Sequence, residues 1–185
     1  MRFNNSCIPY GHYWSTPFCR WQGSLSREHS LTLAASVGQL ALRAMEFDLD
    51  QIEGLHLGCT VPQKKSFFGA PWVATLMGMP SITGPTLSQA YATSARTICS
   101  AASAVEAGGS KMLLAITADR TSNGPLIYYP NPGGPGGQGE SETCPLDSFN
   151  DDPVLHIPMV ATAENLARKH GITREQQDEA ALLRY

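Results

Sequence analysis

The sequence predicts an α/β fold with helices layered on a central sheet. Three observations predict it. Segments with helical and strand-like periodicity alternate from Ser30 to Ala118. One unbroken apolar run, Met112 to Ala118, reads as a strand buried on both faces. A segment of small residues, Tyr91 to Glu106, has the composition of a helix packed on all sides.

Residues 1–29 come first and are irregular. Phe3, Tyr10, Tyr13, Trp14, Phe18 and Trp21 are interrupted by Pro9, Gly11, Pro17 and Gly23. Either a packed surface loop or a binding segment fits that composition. From Ser30, Leu33, Val37, Leu40, Ala41, Ala44 and Met45 recur at three- and four-residue steps, which predicts a helix ending near Phe47. Ile52 to Val61 reads as a buried strand closed by Pro62. Phe67 to Met77 reads as a second helix with Gly78 near its end, and Pro80 to Leu87 as a short strand. The small-residue helix Tyr91–Glu106 is stopped by Gly108-Gly109, and the Met112–Ala118 strand follows.

Beyond Asp119 the character changes. Gly, Pro, Asn and Ser dominate, hydrophobic periodicity vanishes, and a long loop region over 120–158 is expected. Met159–His170 and Arg174–Leu183 then read as helices. Thr173-Arg174-Glu175-Gln176 is a capping box for the second, which is expected to run on to Tyr185. The expected organisation is a core over 1–119, the loop region 120–158, and helices over 159–185.

Bulk properties exclude several function classes. Charged residues make up 16% of the chain, against about a quarter in an ordinary domain. So little charge implies little free surface, and hence burial against another subunit or another half. The net charge is −3 and no basic cluster exceeds Lys64-Lys65, so no footprint for a phosphate backbone exists. No apolar run reaches the roughly 18 residues of a membrane span. The N-terminal segment lacks the apolar stretch of a signal peptide, and a cytoplasmic protein is expected. The five cysteines are odd in number and form no C-x-x-C pair, which argues against a disulfide framework or a zinc site.

Chemistry-bearing motifs are few. Gly134-Pro135-Gly136-Gly137-Gln138-Gly139 fits G-x-G-x-x-G, yet proline-rich sequence precedes it where a strand is required and no helix pattern follows. His56 reads as a core or interface histidine. Cys99 falls in the middle of the small-residue helix, where burial disfavours a thiolate, so it reads as a space-filling thiol.

Several segments together resemble the thiolase superfamily. Ser15-Thr16-Pro17-Phe18-Cys19-Arg20-Trp21-Gln22-Gly23-Ser24-Leu25 is similar to that family's opening R-T-P-F-G-x-[FW]-x-G-x-L segment, with Ser15 at the arginine. Asp50 to Gly58 resembles the strand after the first helix. Met112 to Asp119 resembles the x-x-A-G-G-x-E strand, with Ile116-Thr117-Ala118-Asp119 in place of the glycines and the acid. Met159-Val160-Ala161-Thr162-Ala163-Glu164-Asn165-Leu166-Ala167 resembles M-G-x-T-A-E-N-[LV]-A, and Thr173 to Leu182 resembles S-R-E-E-Q-D-E-F-A-L. The resemblance implies a thiolase-like layered αβα half-domain with a mixed central sheet and a buried helix. Such a half pairs with a second half and dimerises.

In that family a nucleophilic cysteine opens the buried helix. Counting back from Gly108 and forward from Gly58 both lead to Tyr91 or its neighbour, and placing Cys99 there needs a shift of eight residues. Tyr91 is therefore the candidate catalytic residue. A cysteine carries the acyl group as a thioester. A phenol, with an ordinary pKa of about 10, is a poor acyl carrier but a competent acid, base or hydrogen-bond donor.

The family's later N-[DE]-A-F, G-H-P and C-x-G segments are not in this sequence. Either the chain is a fragment or the other half is a separate chain. The resemblance further implies coenzyme A as part of the substrate, with no tightly bound cofactor and no metal. His156 and Met159 are the candidate contacts on the coenzyme A side, although Pro158 stands where the family often has a histidine. Three readings are carried forward. The first is a carbon–carbon lyase or transferase on acyl-CoA, working as a homodimer or hetero-oligomer, as steroid retro-aldolases do with a zinc-ribbon partner. The second is a non-catalytic subunit of a heteromeric thiolase-like complex. The third is a conventional acyltransferase using Cys99.

Overall fold

A computed structural model describes residues 2–184; Met1 and Tyr185, and with Tyr185 the expected end of the last helix, lie outside the described residues. The chain forms two compact units, one ending at Pro125 and one beginning at Leu126.

The first unit follows the predicted alternation of helix and strand. Helix α1, Ser30–Ala44, starts at His29. The His29 Nδ1 accepts the Leu31 N–H at 3.3 Å while its Nε2 lies 2.8 Å from the Lys64 carbonyl. One tautomer, protonated on Nε2, serves both contacts. Strand β1, Gly54–Gly58, is buried at every position. Helix α2, Ala70–Leu76, begins later than the expected Phe67. Gly69 at φ +51° breaks the chain direction and Pro71 fits the first helical turn. Phe67 and Phe68 stay exposed and pack edge-to-face on each other.

Of the strand expected over 80–87, only β2, Thr86–Leu87, is regular. The β1 amides of Leu55 and Leu57 donate to the carbonyls of Thr83 and Pro85, each at 3.0 Å. Pro85 has no N–H to return, and Gly84 sits at φ +155° directly on the Leu55 carbonyl, so the ladder there is one-sided. Helix α3, Thr93–Glu106, and strand β3, Leu113–Thr117, complete the unit. Gly108 at φ +74° ends α3, as its position predicts.

The strands lie in the order β2-β1-β3, all parallel, with His56 paired to Ala115 and Gly58 to Thr117. Alternation along β1 sets the layers. Leu55 and Leu57 join Leu31 and Ala35 of α1, Val73 of α2 and Met77 just after it in one core. Each of the leucine, valine and methionine side chains, fully buried, contributes about 1.5–3 kcal/mol. His56 and Gly58 face α3 instead.

Two expectations about burial are corrected. Only Ile116 of β3 is buried, because β3 is an edge strand of this sheet. Only Thr93, Thr97 and Ala101 of α3 are buried, because the helix meets the sheet along one stripe; Ser94, Ala95, Arg96 and Ile98 are exposed.

The second unit corrects the expectation of a structureless 120–158. Strands β4, Leu126–Tyr129, and β5, Glu140–Thr143, pair antiparallel, with Leu126 opposite Thr143 and Tyr129 opposite Glu140. The glycine- and proline-rich link hid this hairpin, since it is far longer than a tight turn. The Gly139 N–H donates to the Tyr128 hydroxyl at 2.9 Å, closing the loop. The expected mixed sheet thus appears as two sheets, one parallel and one antiparallel.

Short helix α4, Leu146–Asn150, leads to α5, Met159–His170, and α6, Arg174–Arg184. Gly171 at φ +62° closes α5, with the Ile172 N–H returning to Ala167 O at 2.9 Å. The predicted capping box forms: Gln176 N–H donates to Thr173 Oγ1 at 3.3 Å and Thr173 N–H to Gln176 Oε1 at 2.9 Å. No helix among the described residues is long and apolar enough to cross a membrane.

Candidate functional site

Tyr91 lies in a 3-10 turn, Ala90–Ala92, that runs directly into α3. The turn is sharp. Ala90 takes φ +43°, a left-handed value that an L-residue with a Cβ adopts at a cost. The buried Thr93 hydroxyl stitches the bend. It donates to the Ala90 carbonyl at 2.7 Å and accepts the Gln89 N–H at 2.9 Å. One turn on, Thr97 Oγ1 donates to the Thr93 carbonyl at 2.8 Å. No side chain caps α3 at Ala92. The positive end of the α3 dipole therefore lies beside residue 91.

The result is a tyrosine side chain that is 73% exposed and lines a cavity of about 590 Å³. That volume falls within the range of small-molecule sites. Four segments bound it: the N-terminal arm from Trp14 to Trp21, the stretch from Leu25 into α1 as far as Val37, the bend at Ala90 and Tyr91 with the first turn of α3, and the chain from Ile116 at the end of β3 to Ser122.

The arm is fastened on both sides of its cavity-lining stretch. The Asn4, Asn5 and Ser6 amides donate to the Glu106 carboxylate at 2.9, 2.8 and 3.0 Å. These bonds hold the Glu106 carboxyl below the usual glutamate range, Asn4 and Asn5 first among them. Farther on, Gln22 N–H donates to Ser122 Oγ at 2.7 Å, and Arg120 Nη1 to the Glu28 carbonyl at 2.7 Å. The arm forms one wall of the cavity, and its Trp14 packs against the core.

The other candidate groups sit elsewhere. Cys99 is half-buried in the middle of α3 and is not part of the cavity wall. His56 is buried, with Nδ1 3.1 Å from Ser100 Oγ, and burial holds its imidazole below the ordinary histidine range. Cys59 is half-buried, and its thiol is pushed up to about 12 by burial and by Asp119. Asp119 accepts the Thr60 N–H and hydroxyl and the Val61 N–H, so it fixes the turn after β1.

His156 and Met159 belong to the second unit, whereas Tyr91 belongs to the first. His156 is exposed at φ +54° with Nδ1 3.2 Å from Asp151 Oδ1, and Met159 is the first residue of α5. Among the described residues no group of three or more His, Cys, Asp or Glu is placed to hold a metal ion.

The sequence singled out Tyr91 as the candidate and did not single out Thr93, which holds the bend before it. The available signal was a β-branched hydroxyl residue two positions after the candidate, at the first turn of a helix.

The family described as Thiolase, N-terminal domain, matches residues 13–185. The chain is 28% identical over 171 residues to an acetyl-CoA acetyltransferase of Yarrowia lipolytica, covering 92% of this chain and 43% of that one. It is also 28% identical over 175 residues to the 3-oxoadipyl-CoA/3-oxo-5,6-dehydrosuberyl-CoA thiolase of Escherichia coli, covering 90% and 44%. Among solved structures, the Bacillus anthracis acetyl-CoA acetyltransferase superposes with a TM-score of 0.76 at 28% identity, over 89% of this chain and 42% of that one. Human mitochondrial 3-ketoacyl-CoA thiolase, solved with CoA, shares the fold at a TM-score of 0.72 and 22% identity, over 91% and 43%. The chain thus spans less than half the length of each of these relatives.

Proposed function

We propose, for a chain that belongs to the thiolase family through its N-terminal domain, that it acts on acyl-CoA thioesters in carbon–carbon bond cleavage or formation without carrying the acyl group on a cysteine. One observation carries this reading. The side chain on the bend before α3, at the wall of the cavity, is a phenol. A phenol there donates or takes a proton at a reacting oxygen but makes a poor acyl carrier.

The chemistry that suits it is an aldol cleavage of a β-hydroxyacyl-CoA. The hydroxyl proton leaves to a base, the Cα–Cβ bond breaks to give a carbonyl compound, and the acyl-CoA enolate takes a proton at Cα. Atoms and charge balance with no acyl-enzyme and no redox partner. Tyr91 serves as the acid or hydrogen-bond donor to the developing oxyanion. Coenzyme A enters as part of the substrate, with His156 and Met159 as its contacts. The working form is a homodimer or a hetero-oligomer, with a zinc-ribbon protein among the candidate partners, in the cytoplasm.

The test is peptide-mapping mass spectrometry after incubation with acetyl-CoA. No acyl adduct is expected on any side chain. An acetyl group on Cys99 would overturn this reading in favour of conventional acyl transfer.

A second reading, a non-catalytic subunit, is favoured by the exposed flank of α3, where Ile98 is 44% exposed. Co-purification separates the two. A stable heteromeric complex in which Tyr91→Phe leaves all turnover unchanged would favour the subunit.

A further inference from the structure

We infer that Thr93 is a positioning residue for the group at position 91: its hydroxyl locks the left-handed bend at Ala90 that aims the Tyr91 side chain into the cavity. The inference rests on the reading that residue 91 is the reacting group.

The observations are geometric. Ala90 at φ +43° occupies a conformation that an alanine leaves readily unless the surroundings hold it. Two bonds hold it, and both end on one atom. Thr93 Oγ1 donates to the Ala90 carbonyl at 2.7 Å and accepts the Gln89 N–H at 2.9 Å, so the hydroxyl closes the chain on both sides of Ala90. Thr93 is only 6% exposed, so water competes poorly for those bonds. Its methyl group lies on the β1 side, where a Cβ on Gly58 would meet Thr93 Cγ2 at 3.0 Å. The methyl thereby fixes the rotamer, and the rotamer fixes the hydroxyl. Thr97 Oγ1, donating to the Thr93 carbonyl at 2.8 Å, anchors the residue from the next turn. Freed of the clip, Ala90 relaxes towards negative φ, which rotates the following peptide and swings residue 91 off its line.

The test reads position 91 directly and needs no native activity, so it stands apart from the proposed reaction. In the full-length protein carrying Tyr91→Cys, the rate of iodoacetamide alkylation at position 91 is followed by peptide mass spectrometry. Thr93→Val, which keeps the shape and removes the hydroxyl, is expected to change that rate by about tenfold, the effect of one unit in thiol pKa. Thr93→Ser, which keeps the hydroxyl, is expected to stay within about twofold of Thr93. In an Ala90→Gly background, where positive φ is unstrained, the Thr93→Val effect is expected to shrink. If Thr93→Val folds poorly in the Ala90 protein, Thr93→Ala, which also removes the hydroxyl, is read in its place with the same change expected, and an unchanged rate there would equally overturn the inference. Equal rates for Thr93 and Thr93→Val in the Ala90 protein would overturn the inference. So would a Thr93→Val effect undiminished by Ala90→Gly. Absence of turnover in the Tyr91 protein, with the alkylation pattern as expected, would instead count against the proposed reaction alone.

Discussion

Gly58 of β1 lies so close to Thr97 of α3 that a Cβ on the glycine would sit 2.5 Å from the threonine Oγ1. Strand and helix meet there with the Thr93 and Thr97 side chains laid directly on the glycine backbone. The contact sets the depth at which α3 packs, and therefore where its N-terminal turn and Tyr91 stand relative to the cavity. The same Cβ would also fall 2.7 Å from Thr117 Cγ2, so the site is closed on two sides.

Gly58→Ala is accordingly expected to destabilise the protein by about 1–3 kcal/mol, the usual cost of overpacking. Urea unfolding checks it. Because Thr97 is β-branched and bonded to Thr93, it has little room to give way. Gly78→Ala, where a new Cβ meets nothing within 4 Å, provides a contrast in which only the cost of positive φ applies.

Stability should fall as the medium becomes acidic through His56. Burial holds its folded imidazole below the ordinary value of 6.5. The unfolded chain therefore binds a proton in a window where the folded chain does not. Stability is full above pH 6.5 and declines as pH falls through that window, down to the folded value. The unfolding midpoint, measured from pH 7.5 downwards, should show this slope, and His56→Gln should flatten it.

The N-terminal arm should release in acid by a different group. Glu106 is held below its ordinary 4.5 by the amides of Asn4, Asn5 and Ser6. Its contribution is present above pH 4.5 and is lost as pH falls through the lower folded value. The hydrogen-exchange protection of those three amides, taken relative to the intrinsic rate at each pH, should be high near neutrality and fall on acidification. Glu106→Gln, which leaves one carbonyl acceptor, should remove much of the protection at neutral pH.

Thiol reactivity should rank by surroundings rather than by sequence. Cys7 and Cys19 are exposed, whereas Cys59 is half-buried beside Asp119 and pushed up to about 12. Timed iodoacetamide labelling at pH 8 should modify the first two while Cys59 stays intact. In Asp119→Asn, loss of the neighbouring charge should speed labelling at Cys59 by lowering its pKa.

Much of the element order of the first unit was legible in the sequence, and the Gly108 stop left a clear mark. The existence of α1 was legible but its buried face was not: Leu31, Ala35, Gly38 and Leu42 are buried, whereas Leu40 and Ala44 of the expected stripe are exposed. The capping box at Thr173 was legible, since four residues carry both of its bonds. The β4–β5 hairpin was not legible: the long link of glycine and proline between Tyr129 and Glu140 mimics loop, and its closing bond to Tyr128 is long-range in sequence. Nor was the one-sided burial of α3, since small residues suit a helix packed on any number of sides. At the candidate site, distances along the chain pointed to Tyr91, and the structure places that residue on the bend before α3. Thr93 did not, because its part depends on the backbone torsion of Ala90, which alanine does not announce.

The central claim is that Tyr91 works as a proton-transferring phenol in carbon–carbon chemistry on acyl-CoA. The most direct measurement is cleavage of a β-hydroxyacyl-CoA by the full-length protein, with its oligomeric partner if one co-purifies, set beside Tyr91→Phe. Turnover by the wild type, with kcat lowered about 10²-fold or more in Tyr91→Phe and KM little changed, is the predicted result. Absence of cleavage by the wild type, or cleavage that Tyr91→Phe leaves undiminished, would contradict it.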